Sequence, residues 1–242
     1  MRAPLSRNAL APLLLSLTIA WLGAACASGG PPAQDGAALN QRFLDSELDV
    51  GEWLDRFETE SRDIYRARHA IVAELGLREG MRVADVGAGT GLFEPLFAEA
   101  VGISGTVYAI DIAPRFLAHL RRRTAEAGLS QVQVVEGTEV SIELPDASAD
   151  VVFVCDTYHH FAQPAASLAS IHHALRPGGT LVVVEFDRVP GKSRDWVLEH
   201  IRADKATFQA EIEAAGFALE REPAVAELED NYMQVFRRVD TP

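Results

Sequence analysis

A glycine-rich turn constrains the fold of this chain more than any other feature. Residues 83–86 form a short, mainly apolar run that leads into Gly87, Gly89 and Gly91, and an apolar helical pattern follows. Glycine adopts positive φ angles without steric cost and lets a ligand come close to the backbone. A strand, a turn of this kind and a helix in succession are typical of nucleotide-binding βαβ units.

The spacing of the glycines indicates which kind of nucleotide is bound. A dinucleotide-binding fingerprint would need a third glycine at position 92, where this chain has Leu92. The third glycine comes one residue earlier, and Asp85 lies two residues before the first. This pattern resembles motif I of the class I S-adenosylmethionine-dependent methyltransferases, whose cofactor has no pyrophosphate. The alternative is a Rossmann-like domain for another nucleotide.

The rest of the chain alternates predicted strands and helices. After the glycine turn, strands are predicted over 106–111, 131–136, 149–155, 180–186, 217–222 and 232–238, and helical segments over 114–127, 158–175 with a break near Pro164, and 204–215. Such alternation predicts an α/β fold, a Rossmann-like, doubly wound and mainly parallel sheet of seven strands with helices on both faces. The resemblance covers residues 62–238, includes the turn at 176–179 before the fifth strand, and implies an antiparallel last strand.

The resemblance also implies a cofactor site for S-adenosyl-L-methionine. Asp111 ends the second strand 20 residues after Gly91, where an acidic residue accepts the ribose hydroxyls. Many relatives have Gly-Asp after the third strand for the adenine, whereas this chain has Thr138 and Glu139 after Gly137. The predicted cofactor-binding residues are Asp85, Gly87, Ala88, Gly89, Gly91, Asp111, Ile112, Thr138, Glu139 and Asp156.

A polar cluster follows the fourth strand and is the best candidate for the acceptor side. It contains Asp156, Tyr158, His159 and His160, the predicted catalytic residues. Ligands of open α/β sheets bind outside the carboxyl ends of the strands, where this cluster should lie. One histidine would serve as the base if the acceptor must lose a proton. The alternative is that a histidine only packs beneath the cofactor, and no metal ligands are predicted.

Two further segments are expected to close the acceptor pocket. Residues 39–75 are predicted to form N-terminal helices that act as a lid over the methyltransferase domain, which is assigned to residues 76–242. The second segment, residues 187–203, is an insertion after the fifth strand and carries Trp196, His200 and Arg202. Long insertions at this end of a sheet commonly determine specificity.

The N-terminus has the three-part layout of a secretory signal. Arg2 and Arg7 precede an apolar run over residues 9–23, and small residues lead directly to Cys26. This arrangement resembles a bacterial lipobox, so residues 1–26 are predicted to be a signal peptide and Cys26 a lipid-anchored N-terminus in the cell envelope or periplasm. Ordinary cleavage after Ala27 is the alternative. Residues 27–38 have the composition of a flexible tether.

The charge of the chain restricts its partners. The net charge is −13, and loss of Arg2 and Arg7 with the signal leaves −15. Such a chain is repelled by phosphate backbones, so we expect a small-molecule acceptor and no nucleic acid. Export conflicts with the cytoplasmic origin of S-adenosylmethionine, which leaves a second functional hypothesis: an envelope-anchored, non-catalytic binding protein for S-adenosylmethionine or a related metabolite.

Overall fold

The computed structural model of the protein describes residues 1, 36–60 and 62–240. The predicted signal peptide, Cys26 and most of the predicted tether lie outside the described residues. Residues 36–38, assigned to the tether from sequence, instead begin the first helix, where Gly36 is buried against the backbone of His160 and Phe161. Among the described residues, no helix combines the length and apolar character needed to cross a membrane.

A single seven-stranded sheet forms the centre of the fold, as the sequence predicts. The strands are β1 (Arg82–Val86), β2 (Thr106–Asp111), β3 (Val132–Glu136), β4 (Ala149–Cys155), β5 (Leu175–Phe186), β6 (Phe217–Arg221) and β7 (Asn231–Arg238). Their order is β3-β2-β1-β4-β5-β7-β6. Only β7 runs antiparallel to its neighbours, β5 and β6. The prediction of a mainly parallel sheet with an antiparallel last strand is confirmed.

Eight helices accompany the sheet in the described residues. They are α1 (Gly36–Asn40), α2 (Val50–Phe57), α3 (Asp63–Glu74), α4 (Glu94–Val101), α5 (Pro114–Glu126), α6 (Pro164–Ala174), α7 (Asp195–His200) and α8 (Lys205–Ala214), with a 3-10 turn at Tyr158–His160. Proline stands in the first turn of α4, α5 and α6, where its missing N–H costs nothing.

The central strand β4 shows why helices cover both faces of the sheet. Its side chains alternate between two apolar clusters: Val152 and Val154 pack with residues of α6 and α8, whereas Val151 and Phe153 pack with residues of α3 and α4. All four side chains are buried. Burial on both faces produces the continuous apolar run seen in the sequence.

The turn predicted at residues 176–179 is a bulge within β5. Leu175 pairs with Ala149, and pairing resumes with Thr180 opposite Val151, so the four intervening residues bulge out of the ladder. Gly178 adopts φ +73° there. The strand therefore begins five residues before the predicted start, because one backbone pair forms ahead of the turn.

The strand order creates a crevice between β1 and β4. From β1 the chain moves outward through β2 to β3, then returns to place β4 on the other side of β1. Ligands of open α/β sheets bind at such a reversal, outside the carboxyl ends of the strands. The glycine turn follows β1 and the polar cluster follows β4, so the fold brings the two sequence-predicted sites together.

Candidate functional site

A cavity of about 500 Å³ opens at the carboxyl ends of the strands. His159 and His160 line this cavity. So do nine of the ten predicted cofactor-binding residues, which are Asp85, Gly87, Ala88, Gly89, Asp111, Ile112, Thr138, Glu139 and Asp156. Cofactor and acceptor candidates therefore share one space. Of the predicted residues, Gly91 and Tyr158 are not part of its wall.

The three glycines of the turn have different roles. Gly87 adopts φ +79°, and a Cβ atom there would lie 2.4 Å from the Thr157 side chain. A Cβ at Gly91 would lie 2.9 Å from Leu120, so this glycine allows close packing against α5 and does not face the cavity. At Gly89, with φ +56°, the nearest atom to a Cβ is 3.8 Å away. Gly89 is thus the position where the backbone lies open to a ligand.

The Asp111 carboxylate fixes the glycine turn. Its Oδ2 accepts a hydrogen bond from the Gly89 N–H at 2.8 Å, and its Oδ1 accepts one from the Ala113 N–H at 2.8 Å. Burial raises the pKa of Asp111, and these N–H donors oppose that effect. The Ile112 N–H also faces this carboxylate. Because a carboxylate has about four acceptor positions, acceptor capacity remains for ligand hydroxyls.

A second carboxyl group, Glu94, lies against Asp85 beneath the turn. Asp85 is 3% exposed and Glu94 is 1% exposed. Burial and mutual repulsion raise the pKa of Asp85 well above its ordinary value, and burial raises the pKa of Glu94 to about 7. Two adjacent buried carboxyl groups cannot both ionise cheaply, so at neutral pH the pair retains a proton. Glu94 carries no sequence signal beyond its place in the first turn of α4.

The proposed adenine end of the site is the more open end. Thr138 and Glu139 line the cavity from the loop after β3, and both are exposed. The Thr138 hydroxyl accepts a long hydrogen bond, 3.3 Å, from the Val140 N–H. This hydroxyl therefore also stabilises its own loop. The loop in turn places the Thr138 and Glu139 side chains at the cavity wall.

Asp156 directly follows β4 in a strained conformation and links three elements. Its φ is +47°, which is uncommon for a residue other than glycine. The Asn231 amide donates a hydrogen bond to Oδ1 at 2.7 Å, and Arg62 pairs with Oδ2. Burial raises the pKa of Asp156 to about 7, although the Arg62 guanidinium opposes the shift. The partners Arg62 and Asn231 show that Asp156 holds α3 and β7 at the cavity.

His159 is buried beside a second buried acid that the sequence analysis did not identify. Its ring Nδ1 lies 2.8 Å from Glu185 Oε2, and the exposed fractions of the two residues are 2% and 0%. Burial lowers the pKa of His159 to about 3 and raises that of Glu185 to about 7. The imidazole is therefore neutral at physiological pH, and its low pKa makes it a weak proton acceptor.

His160 points into the same region and meets a histidine from the insertion. Its Nδ1 lies 3.2 Å from Asn40 Oδ1, and burial lowers its pKa to about 2. His200, the last residue of α7, places its ring centroid 5.6 Å from His160 and 5.0 Å from His159. Burial lowers the pKa of His200 to about 4. The insertion thus delivers a third neutral imidazole.

The predicted placement of Tyr158 on the acceptor side is wrong. Tyr158 is wholly buried among core side chains that include Phe161 and Phe208, and its hydroxyl donates a hydrogen bond to Glu211 at 2.9 Å. The reason is the 3-10 turn, in which successive side chains point about 120° apart. When His159 and His160 face the cavity, Tyr158 is directed into the core.

Fold and cavity together define a Rossmann-like α/β protein with a candidate ligand site at the β1–β4 crevice. Residues 84–183 match the family described as methyltransferase domain. The ubiquinone/menaquinone biosynthesis C-methyltransferase UbiE of Burkholderia cenocepacia (strain HI2424) is 33% identical over 130 residues, 53% of each chain. This chain therefore spans about half the length of such curated relatives.

Solved structures show the same architecture. An S-adenosylmethionine-dependent methyltransferase from Aquifex aeolicus superposes with a TM-score of 0.69 at 24% identity, over 80% of this chain and all of that one. The [4+2]-cyclase SpnF superposes with a TM-score of 0.66 at 19% identity, over 88% of this chain and all of that one. The fold is the Rossmann-like methyltransferase fold. The cyclase shows that this fold alone does not determine the reaction.

Proposed function

We propose that this protein transfers the methyl group of S-adenosyl-L-methionine to a small-molecule acceptor. The single observation that carries the proposal is the shared cavity, which joins the glycine turn and Asp111 to the histidine cluster in about 500 Å³. The family match over residues 84–183 supports it. A volume of this size suits small ligands rather than a macromolecular substrate.

The residues around the glycine turn fit the cofactor. Gly89 has open space where a side chain would otherwise project, and the Asp111 carboxylate next to it has free acceptor positions. These are the features that a ribose with two hydroxyl groups requires. Thr138 and Glu139 would contact the adenine, and Ala88 and Ile112 would contribute apolar wall.

The acceptor half of the cavity is largely aromatic. Phe43 packs on Trp53 at 4.8 Å between ring centroids, and Phe186 packs on Trp196 at 4.9 Å. All four rings line the cavity. Such walls favour a planar or apolar acceptor, because ring faces contribute both buried area and stacking.

In this proposal the protein acts mainly by positioning. The cofactor's sulfonium is already a strong leaving group, so no covalent nucleophile is needed. Asp156, held by Arg62 and Asn231, orients the groups at the junction between the two halves of the cavity. The aromatic walls exclude water, and the histidines meet the acceptor.

We propose further that the protein is exported and anchored to the cell envelope through a lipid on Cys26. The proposal rests on the signal-like layout of residues 1–26. Mass spectrometry of the mature protein from its native host should find a diacylglyceryl modification on an N-terminal Cys26. A mature chain beginning at Ser28, or an intact chain beginning at Met1, would contradict lipid anchoring.

Calorimetric titration of S-adenosylmethionine into the purified chain tests the cofactor half of the proposal. We expect saturable binding at one site. S-adenosylhomocysteine, the product form, should compete for that site. Absence of binding by both compounds would refute the proposed function, whatever the acceptor.

A further inference from the structure

We propose that His159, His160 and His200 form a binding site for a divalent first-row transition metal of the zinc class. One ring nitrogen from each of the three histidines lies within 4.8 Å of the others. Imidazole nitrogen is a preferred ligand of zinc and its neighbours, and three histidines with an open fourth position form a known type of zinc centre.

The hydrogen bonds around His160 leave one specific nitrogen available. The Asn40 amide nitrogen donates to the His160 carbonyl at 3.1 Å, which fixes the orientation of the amide. Its Oδ1 therefore faces His160 Nδ1 at 3.2 Å and accepts a hydrogen bond from it. With the proton on Nδ1, Nε2 has a free lone pair. This nitrogen makes no hydrogen bond to any described residue.

His159 is oriented by a carboxylate in the way that many metal-binding histidines are. Glu185 Oε2 accepts a hydrogen bond from the His159 backbone N–H at 3.2 Å and lies 2.8 Å from Nδ1. A carboxylate that holds the far nitrogen of a histidine fixes the ring and increases the basicity of the nitrogen that binds the metal. Glu185 is wholly buried, so it acts on the site through this ring.

His200 completes the set and has room to move. It ends α7, is half-buried, and contacts the rings of His159, His160 and Trp196. In a tetrahedral site the ligand nitrogens lie about 3.3 Å apart, given metal–nitrogen distances of about 2.0–2.1 Å. The most widely separated nitrogens must therefore approach by about 1.5 Å, from 4.8 Å to about 3.3 Å, and rotation of the His200 side chain moves its nitrogen relative to the other two.

Charged groups of both signs face the three histidines. The Arg42 guanidinium acts on all three histidines, Arg56 acts on His200, and Arg202 acts on His159. All three arginines oppose a bound cation, whereas Glu185 favours it. Arg42 is exposed at the rim and screened by water, while Glu185 is in direct contact with a ligand ring. A bound cation would therefore be held by the ring nitrogens and the Glu185 carboxyl group against the repulsion of these arginines.

The fourth position of such a metal would face the cavity. If the proposed methyl transfer is right, the ligand there is an oxygen or sulfur atom of the acceptor, so the acceptor would be a hydroxyl or thiol compound. This assignment of the acceptor rests on the proposed function. The metal site itself does not.

The test is calorimetric titration of Zn²⁺ into the chelator-treated full chain without a polyhistidine tag, with Co²⁺ as a spectroscopic probe. We expect one zinc per chain and the visible absorption of a nitrogen-coordinated cobalt. His200→Ala should weaken binding at least tenfold, and Glu185→Gln roughly tenfold to a hundredfold. His173→Ala is the matched control, because His173 is an exposed histidine outside the cluster, and should bind as the wild type does.

His200→Ala is the decisive variant because the His200 side chain makes no hydrogen bond to a described residue, and thermal unfolding verifies that the fold is retained. Absence of saturable zinc binding to the wild type, or unchanged binding in His200→Ala, would overturn the proposal. Titration of S-adenosylmethionine into the same preparation separates the two proposals. Metal binding without cofactor binding refutes only the proposed function, and cofactor binding without metal binding refutes only the metal site.

Discussion

The carboxylate of Asp111 accepts a hydrogen bond from the backbone N–H of Gly89 at 2.8 Å. This contact ties the end of β2 to the one glycine that is open to the cavity, across 22 residues of chain. The residue that we assign to the ribose therefore also sets the shape of the glycine turn. Binding and local structure are coupled at this point.

Asp111→Ala should weaken the binding of S-adenosylmethionine. Loss of two hydrogen bonds from ligand hydroxyls to a charged group corresponds to about 2–3 kcal/mol, or roughly thirty- to a hundredfold in the dissociation constant. Calorimetry measures the change. Asp111→Asn keeps one acceptor oxygen for the Gly89 N–H and should weaken binding less. An unchanged dissociation constant in Asp111→Ala would contradict the assignment.

Gly89→Val should abolish cofactor binding, because the side chain would occupy space that the ligand needs and the backbone φ of +56° disfavours valine. Gly128→Val is the matched control, since Gly128 has φ +67° and no atom within 4 Å of a Cβ but lies after α5, away from the cavity. Both substitutions introduce the same kind of backbone strain, because each places valine at a positive φ. Equal cofactor affinities in the two variants would show that Gly89 does not face the ligand.

Glu94→Gln should change how stability depends on pH. The folded protein raises the pKa of Glu94 from 4.5 to about 7, so the folded state favours the protonated form. Stability from this group is fully present below about pH 4.5 and is lost as the pH rises through about 7. The variant should therefore be more stable than the wild type at pH 8, by about 3 kcal/mol, and similar at pH 4.5.

Urea denaturation at the two pH values measures this difference. Glu99→Gln is the control, since Glu99 is on the same helix but exposed. It should leave the difference between the two pH values unchanged. If Glu94→Gln instead lowers stability equally at both pH values, Glu94 is ionised in the folded protein across this range and its pKa is not raised.

His160→Ala should lower turnover once an acceptor is identified, while the affinity for S-adenosylmethionine stays unchanged. The reason is position: His160 contacts Phe43 and His200 in the acceptor half of the cavity. A roughly hundredfold loss of rate is expected whether the ring acts on the proton or through a metal. His159→Ala is less informative, because it also leaves the buried Glu185 without its partner. Normal turnover in His160→Ala would show that the His160 ring takes no part in the reaction.

The sequence predicts most of the fold because local signals and burial agree. The valine-rich strand over residues 149–155, the proline at position 114 and the glycine at position 128 each fix an element or its end, and the structure has those elements at nearly the same bounds. The start of β5 was missed because a single backbone pair forms before the turn.

The site was less predictable where it depends on contacts between distant residues. The glycine turn and Asp111 follow a spacing that sequence reveals. Glu185 follows no such spacing, and sequence reveals His200 only as part of an insertion. Each acquires its role when the sheet and the insertion bring it to His159. Tyr158 was misplaced because its orientation depends on the 3-10 turn.

The most direct test of the central claim is transfer of a labelled methyl group. The full chain is incubated with methyl-labelled S-adenosylmethionine and an extract of host cell envelope, and small-molecule products are separated and measured. We predict a labelled small molecule that forms with the wild type and with Gly128→Val but not with Gly89→Val. Normal cofactor binding with no labelled product would contradict methyl transfer and favour a non-catalytic binding protein.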